Sequence, residues 1–132
     1  MKLDHIGIAV SNLSSSNTLF TKLLKEAPFK EELVENQKVK VSFFHSGDTK
    51  IELLEPQAPD SAIAKFIEKK GEGIHHMAFL VEDIYAEMER MKADGFLPLQ
   101  DEPRIGANNK LVCFFHPKST NGVLIEICQE RD

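Results

Sequence analysis

An internal repeat is the feature of this 132-residue sequence that most constrains its fold. Segments of similar sequence recur at a constant spacing, which then lengthens by three residues. The matches are residues 3–10 with 74–81 and 43–45 with 114–116 at an offset of 71, and 51–53 with 125–127 at an offset of 74. Loops absorb insertions at little cost in free energy, so the flanking segments are predicted to be strands of two equivalent halves.

Hydrophobic periodicity within each half predicts the order strand, helix, strand, strand, strand. Asn12 or Ser14 can cap a first helix that runs to about Leu24, and Asp83 can cap its counterpart, which runs to Gly95. The first strand of one half is expected at residues 3–10. Further strands are predicted at 30–35, 39–45 and 50–55 in the first half and at 97–101, 110–116 and 122–128 in the second.

The repeat therefore predicts a single domain of the α+β class, in which two βαβββ modules form an incomplete barrel around a metal cleft. Module 1 is expected at about residues 1–56 and module 2 at about 73–132. The linker, at about 57–72, is predicted to contain a helix capped by Asp60.

Four metal-binding side chains occupy matched positions in the two halves, namely His5 with His76 and Glu52 with Glu126. Each glutamate lies between two apolar residues, so alternation along a strand directs it away from the face that packs on a helix. Two imidazoles and two carboxylates suit a divalent ion such as Co²⁺, Ni²⁺, Mn²⁺ or Zn²⁺, and the carboxylates balance its charge. We expect these four residues to bind one such ion.

The other histidines are predicted to have structural roles. His75 should point to the opposite face from His76 and be packed or hydrogen-bonded there. His45 and His116 come at strand ends, where a polar residue entering a turn is the simpler explanation than a ligand contact.

The composition narrows the classes of partner. A net charge of −5 argues against broad binding to nucleic acid or to an acidic membrane surface, and no apolar run approaches the length of a membrane span. Two isolated cysteines indicate a reducing compartment, so we expect a cytoplasmic protein. An acidic ligand would require cationic side chains to gather locally. The candidates are Lys38, Lys40, Arg104, Lys110 and Lys118.

The paired modules and the His, Glu, His, Glu set resemble the vicinal oxygen chelate superfamily. Within it, the sequence is most similar to the methylmalonyl-CoA epimerase family, and the resemblance covers the whole chain. The segments that carry it are residues 3–10, 51–54, 73–79, 105–107, 116–119 and 122–126.

The resemblance implies an isomerase that removes and returns the proton at C2 of methylmalonyl-CoA, through an enolate stabilised by the metal ion. It suggests Glu126 as one base. The family places the second base directly before a glutamine, where this chain has Asn36; the nearest carboxylate, Glu35, serves only if the turn departs from a regular strand. The expected partners are an acyl-CoA substrate and a second copy of the chain in a homodimer.

Two alternatives accompany this prediction. Glyoxalase I, a lactoylglutathione lyase, has a similar ligand set, but it usually carries an Asp-Pro-(Asp or Asn)-Gly turn where this chain has residues 116–119, His-Pro-Lys-Ser. A non-catalytic protein that binds or sequesters a ligand is the alternative of another class, although such proteins usually lack the full set of four ligands.

Overall fold

The structure, a computed structural model, describes residues 1–132 and contains eight strands and three α-helices. The elements follow the order β-α-β-β-β twice, separated by one helix, so the α+β class and the two βαβββ modules are confirmed. The strands are β1 (Lys2–Ala9), β2 (Lys30–Val34), β3 (Val39–Ser46), β4 (Thr49–Pro56), β5 (Gly73–Leu80), β6 (Arg104–Ile105), β7 (Lys110–Phe115) and β8 (Ile125–Glu130). The helices are α1 (Leu13–Leu24), α2 (Ala62–Lys70) and α3 (Ile84–Ala93). None of these helices has the length and hydrophobicity that crossing a membrane requires.

The chain packs as two compact units. The first unit comprises His5–His75, and the second comprises Met1–Asp4 together with His76–Asp132. Both boundaries fall inside the first strand of a module, directly before His5 in one case and directly before His76 in the other. Each of these histidines is therefore the first residue of its unit's main segment.

In the first unit, β4 is paired on both sides. It runs antiparallel to β3 and parallel to β1, and β2 extends the sheet beyond β3. Leu53 of β4 and Phe44 of β3 are fully buried and pack with Leu13 and Val10 beneath α1. This core determines which face of β4 turns toward the helix.

The second unit repeats the arrangement around β8. This strand runs parallel to β5 and antiparallel to β7, and the short β6 pairs with the far side of β7. Ile127 of β8 is fully buried with Ile84, Met88 and Met91 of α3. Met88 and Met91 are therefore core residues.

Both module helices begin at the predicted capping residues. The Asn12 side chain accepts a hydrogen bond from Ser15 N at 2.9 Å, and Asp83 Oδ1 accepts one from Ala86 N at 3.1 Å. A second acceptor comes from the last strand of each module and was not predicted. Glu55 Oε2 accepts from Leu13 N at 2.6 Å, and Gln129 Oε1 accepts from Ile84 N at 2.7 Å. Glu55 and Gln129 are equivalent positions of the repeat, so each last strand caps its own helix.

The strand predicted at residues 97–101 is wrong. Only Pro98 forms a bridge, to Phe115, and two backbone hydrogen bonds join this segment to the neighbouring strand. The Phe114 N–H, which a longer ladder would pair with a backbone carbonyl of this segment, donates instead to Gln100 Oε1 at 2.9 Å. The pairing beside β7 is instead made by β6, which the sequence did not predict, and β8 begins at Ile125 rather than at residue 122.

The cap predicted for α2 is wrong by one residue. Ser61 Oγ, not Asp60, accepts the hydrogen bond from Ala64 N at 3.0 Å. Asp60 is instead bonded to the ammonium of Lys38, which holds the pKa of this exposed carboxyl below its usual value.

The side-chain cap from β8 can be tested by substitution. We expect Gln129→Ala to lower the free energy of unfolding by about 0.5–2 kcal/mol, because the Ile84 N–H at the start of α3 loses its acceptor. Glu89→Ala, on the exposed side of the same helix, should change it by less than about 0.5 kcal/mol. Urea denaturation of both variants measures the difference, and equal stabilities would argue that the cap contributes nothing.

Candidate functional site

In the first unit, a histidine and a glutamate from neighbouring parallel strands meet in the interior. His5 Nδ1 of β1 lies 3.1 Å from Glu52 Oε2 of β4, and both side chains are 5% exposed. On β4 the flanking residues Ile51 and Leu53 pack toward α1. Alternation therefore directs Glu52 to the opposite face, as the sequence predicts.

The second unit contains the equivalent pair. His76 Nε2 of β5 lies 3.2 Å from Glu126 Oε1 of β8, and the two side chains are 4% and 6% exposed. Ile127, next to the glutamate, is buried in the core beneath α3. The structure thus brings each predicted histidine to the glutamate of its own unit.

The surroundings of the two pairs are equivalent as well. A small residue lies beside each glutamate in the parallel ladder, Gly7 beside Glu52 and Ala78 beside Glu126. A phenylalanine lies on the antiparallel side: Phe43 pairs with Glu52, and Phe114 pairs with Glu126. The His76 and Phe114 rings are edge-on with centroids 5.4 Å apart. Small and aromatic neighbours leave space on one side of each carboxylate and shield the other.

The donor chemistry of these residues fits a divalent cation. Each unit buries one carboxylate beside one imidazole, and a buried carboxylate needs a compensating positive charge or hydrogen bonds. Nitrogen and oxygen donors are the ligands that first-row divalent metals take. Each His–Glu pair therefore offers a nitrogen donor and an oxygen donor that such an ion could take.

The contacts of the remaining histidines agree with the structural roles that the sequence predicts for them. The His75 ring packs edge-on against Phe66 of α2, with centroids 4.9 Å apart, whereas His76 contacts Glu126. The exposed His45 ring stacks on Phe29 at 3.9 Å. His116 begins a short 3₁₀ turn, in which its Nδ1 accepts a hydrogen bond from Lys118 N at 3.0 Å.

Glu35 lies in an irregular turn. Residues Glu35–Gln37 form one 3₁₀ turn between β2 and β3, closed by the hydrogen bond from Lys38 N to Glu35 O at 3.1 Å. Lys38 has a positive φ of 55°, so the turn departs from regular strand geometry. The Glu35 side chain is exposed.

Three of the cations considered for an acidic ligand are bound to carboxylates of the chain. Lys38 pairs with Asp60, and Lys40 lies 3.7 Å from Glu31. Lys110 is buried and donates to both carboxylate oxygens of Asp4, at 3.1 and 3.0 Å. Sequence reasoning missed the Asp4–Lys110 ion pair, because its members are 106 residues apart.

The two cysteines lie in the interior of the protein. Cys113 and Cys128 are free and buried, and burial raises the pKa of the Cys113 thiol to about 11. This thiol therefore stays protonated at neutral pH, where a nucleophile or metal ligand would have to be a thiolate.

Residues 4–114 match the Glyoxalase/Bleomycin resistance protein/Dioxygenase superfamily, and the chain belongs to this superfamily. The resemblance found in the sequence is thereby confirmed. Equivalent pairs of metal-binding side chains in two βαβββ modules are the features of this chain that the resemblance rests on.

Individual relatives are similar over nearly their full length. The chain is 43% identical to the uncharacterized protein YqjC of Bacillus subtilis, over 98% of this chain and 93% of the relative. It is 40% identical to the ethylmalonyl-CoA/methylmalonyl-CoA epimerase of Cereibacter sphaeroides, over 97% of each chain. A solved structure of methylmalonyl-CoA epimerase in complex with methylmalonyl-CoA and NH₄⁺ aligns with a TM-score of 0.92 and 33% identity, over 98% of this chain and 94% of that one.

Proposed function

We propose that this protein is a metal-dependent methylmalonyl-CoA epimerase, an isomerase that interconverts the (R) and (S) forms of methylmalonyl-CoA. The observation that carries the proposal is the buried His–Glu contact repeated at equivalent positions of the two units. The proposal is supported by the 40% identical epimerase of Cereibacter sphaeroides and by the similar epimerase structure that contains methylmalonyl-CoA.

The proposed metal ligands are His5, Glu52, His76 and Glu126, which together would hold one Co²⁺, Ni²⁺, Mn²⁺ or Zn²⁺ ion. The His–Glu distances of 3.1 and 3.2 Å support this assignment, because each contact joins two groups that a cation would hold in common. When bound, the ion supplies positive charge that stabilises the enolate of the substrate.

Two carboxylates of the chain move the proton in this proposal. Glu126 takes the proton from C2, whose C–H bond breaks while its electron pair passes to the thioester carbonyl to give the enolate. Glu35, protonated, returns a proton to C2 on the opposite face, and solvent then exchanges protons with both residues. The irregular turn at Glu35–Gln37 supports the role of Glu35, because the side chain is not constrained by strand alternation.

The proposed partners follow from the same activity. The substrate is an acyl-CoA, and the protein works as a homodimer in the cytoplasm. Leu19 and Leu23, one turn apart on α1, are 62% and 67% exposed, and contact with a second copy would bury this apolar surface. The two free cysteines are compatible with a reducing compartment. Sedimentation at twice the mass of the chain is the measurement that tests the dimer.

The activity is tested by adding methylmalonyl-CoA of one configuration to the metal-loaded protein in deuterated water. We expect deuterium to enter at C2 and the opposite configuration to appear, because the proton lost from one face is replaced on the other. Mass spectrometry measures the exchange, and a coupled assay specific for one epimer measures the inversion.

A parallel reaction with methylglyoxal and glutathione distinguishes the epimerase from the alternative functions. Consumption of that adduct without exchange at C2 would identify a lactoylglutathione lyase instead. Binding of acyl-CoA without exchange or inversion would identify a non-catalytic binding protein.

The assignment of the metal ligands is tested by replacing two adjacent histidines, one at a time. We expect His76→Ala to remove metal binding and activity together, because the site loses one of four donors. His75→Ala is the matched control, since its ring packs on Phe66, and it should keep both. Elemental analysis measures the metal content of both variants. A metal-free His75→Ala variant would mean that the metal-ligand assignment is shifted by one residue.

The role of Glu35 is tested by separating exchange from inversion. We expect Glu35→Gln to slow inversion by about 10²–10⁴-fold, as loss of a general base does, while metal affinity stays unchanged. Glu26→Gln, which alters another exposed carboxylate of the first unit, is the control and should have no effect. An unchanged inversion rate in Glu35→Gln would assign the second base to another residue.

A further inference from the structure

The Asp4–Lys110 ion pair is the buried charged contact of the second unit that the proposed reaction does not use. The ammonium of Lys110 donates to both oxygens of Asp4, at 3.1 and 3.0 Å, and each side chain is 5% exposed. These two charge-assisted hydrogen bonds connect β1 to β7 at this point.

Stability is a weak explanation for this pair. Removing two charges from water opposes folding, and replacing a buried ion pair by apolar residues of similar volume is often neutral or stabilising. The repeat gives the same indication, because the positions that match Asp4 and Lys110 at the offset of 71 are His75 and Val39, and valine has no charge to form an ion pair. The ion pair is therefore not duplicated by the repeat.

The position of Asp4 in the chain indicates what the pair does. Asp4 is the last residue of the N-terminal segment that packs in the second unit, and the next residue, His5, begins the parallel ladder between β1 and β4. A shift of β1 by one residue would turn His5 to the opposite face and away from Glu52. A buried ionic contact is best attested where a structure needs one register and no other.

We propose that the Asp4–Lys110 pair is a positioning device for His5: Lys110 holds Asp4, Asp4 holds the register of β1, and the imidazole of His5 is thereby aimed at the Glu52 carboxylate. Lys110 is a positioning residue and touches no substrate in this proposal. The inference rests on the proposed function in so far as His5 is taken as a metal ligand.

The test uses the double variant Asp4→Leu/Lys110→Met, which removes both charges and leaves no unpaired ion. Three quantities are measured: the thermal midpoint of the metal-free protein, the Kd for Co²⁺ by competition with an indicator chelator, and the ring signals of His5 and His76 in long-range ¹H–¹⁵N spectra. We expect a midpoint near that of the parent, a Kd raised about 10–100-fold, as when an outer-shell partner of a ligand is lost, and shifted signals for His5 but not for His76.

The exposed pair Lys38–Asp60 provides the matched control. The double variant Asp60→Asn/Lys38→Met also removes two opposite charges and should leave the Kd and both sets of ring signals unchanged. A parental Kd and parental His5 signals in the folded Asp4→Leu/Lys110→Met protein would overturn the proposal.

Two further outcomes are decided by the same measurements. If the double variant does not fold, Asp4→Glu keeps both charges while lengthening one side chain, and His5 signals identical to those of the parent would overturn the proposal. If the parent itself binds no Co²⁺, the metal assignment fails, but the His5 signals of the metal-free variants still decide whether the pair positions this ring.

Discussion

Side chains alternate between the two faces of β4 and β8, the last strands of the two modules, and the rest of the structure depends on this constraint. In β4, Ile51 and Leu53 pack toward α1, and Glu52 between them is directed to the other face. Full burial of one aliphatic side chain contributes about 1.5–3 kcal/mol, so the apolar pair determines the orientation of the strand. A slip by one residue would turn both away from the helix and bury the carboxylate against it. The direction of the carboxylate is therefore a consequence of hydrophobic packing.

The same strands also fix where the module helices begin. Three residues beyond each glutamate, Glu55 and Gln129 accept hydrogen bonds from the first N–H groups of α1 and α3. The residue that caps a helix and the residue that faces its histidine thus lie on one strand, on opposite faces. Because the helix packs on one face and is capped from the same strand, the face that carries Glu52 or Glu126 is held rigidly. Both His–Glu pairs therefore lie on elements of regular structure, which favours precise placement of their side chains.

Much of this arrangement could be predicted from the sequence, because it depends on local periodicity. The two His–Glu pairs, the capping residues Asn12 and Asp83, and the separation of His75 from His76 all follow from the repeat and from strand parity. Other long-range contacts were not predicted. The Asp4–Lys110 pair and the Gln129 cap join residues 106 and 45 positions apart, and no local pattern indicates such partners.

The strand prediction failed for a different reason. Residues 97–101 have the apolar alternation of a strand, but the segment forms only a single bridge, from Pro98 to Phe115. The pairing of β7 passes to Arg104–Ile105 instead. Periodicity reports which residues are apolar, whereas a ladder also requires backbone partners, and here the Gln100 side chain accepts the hydrogen bond of the Phe114 N–H.

The departures from the repeat show how one symmetric framework can serve an asymmetric reaction. The His–Glu pairs occupy equivalent positions in the two modules, but the turns before β3 and β7 differ. Glu35 opens one 3₁₀ turn, whereas its equivalent in the other module is Gly106, which has no side chain. Inversion of a carbon centre needs groups that act on two opposite faces, and those groups need not be related by the symmetry of the ligands. Duplication of the module therefore accounts for the two His–Glu pairs. Glu35, Asp4 and Lys110 have no counterpart of the same type in the repeat, and they distinguish the two halves.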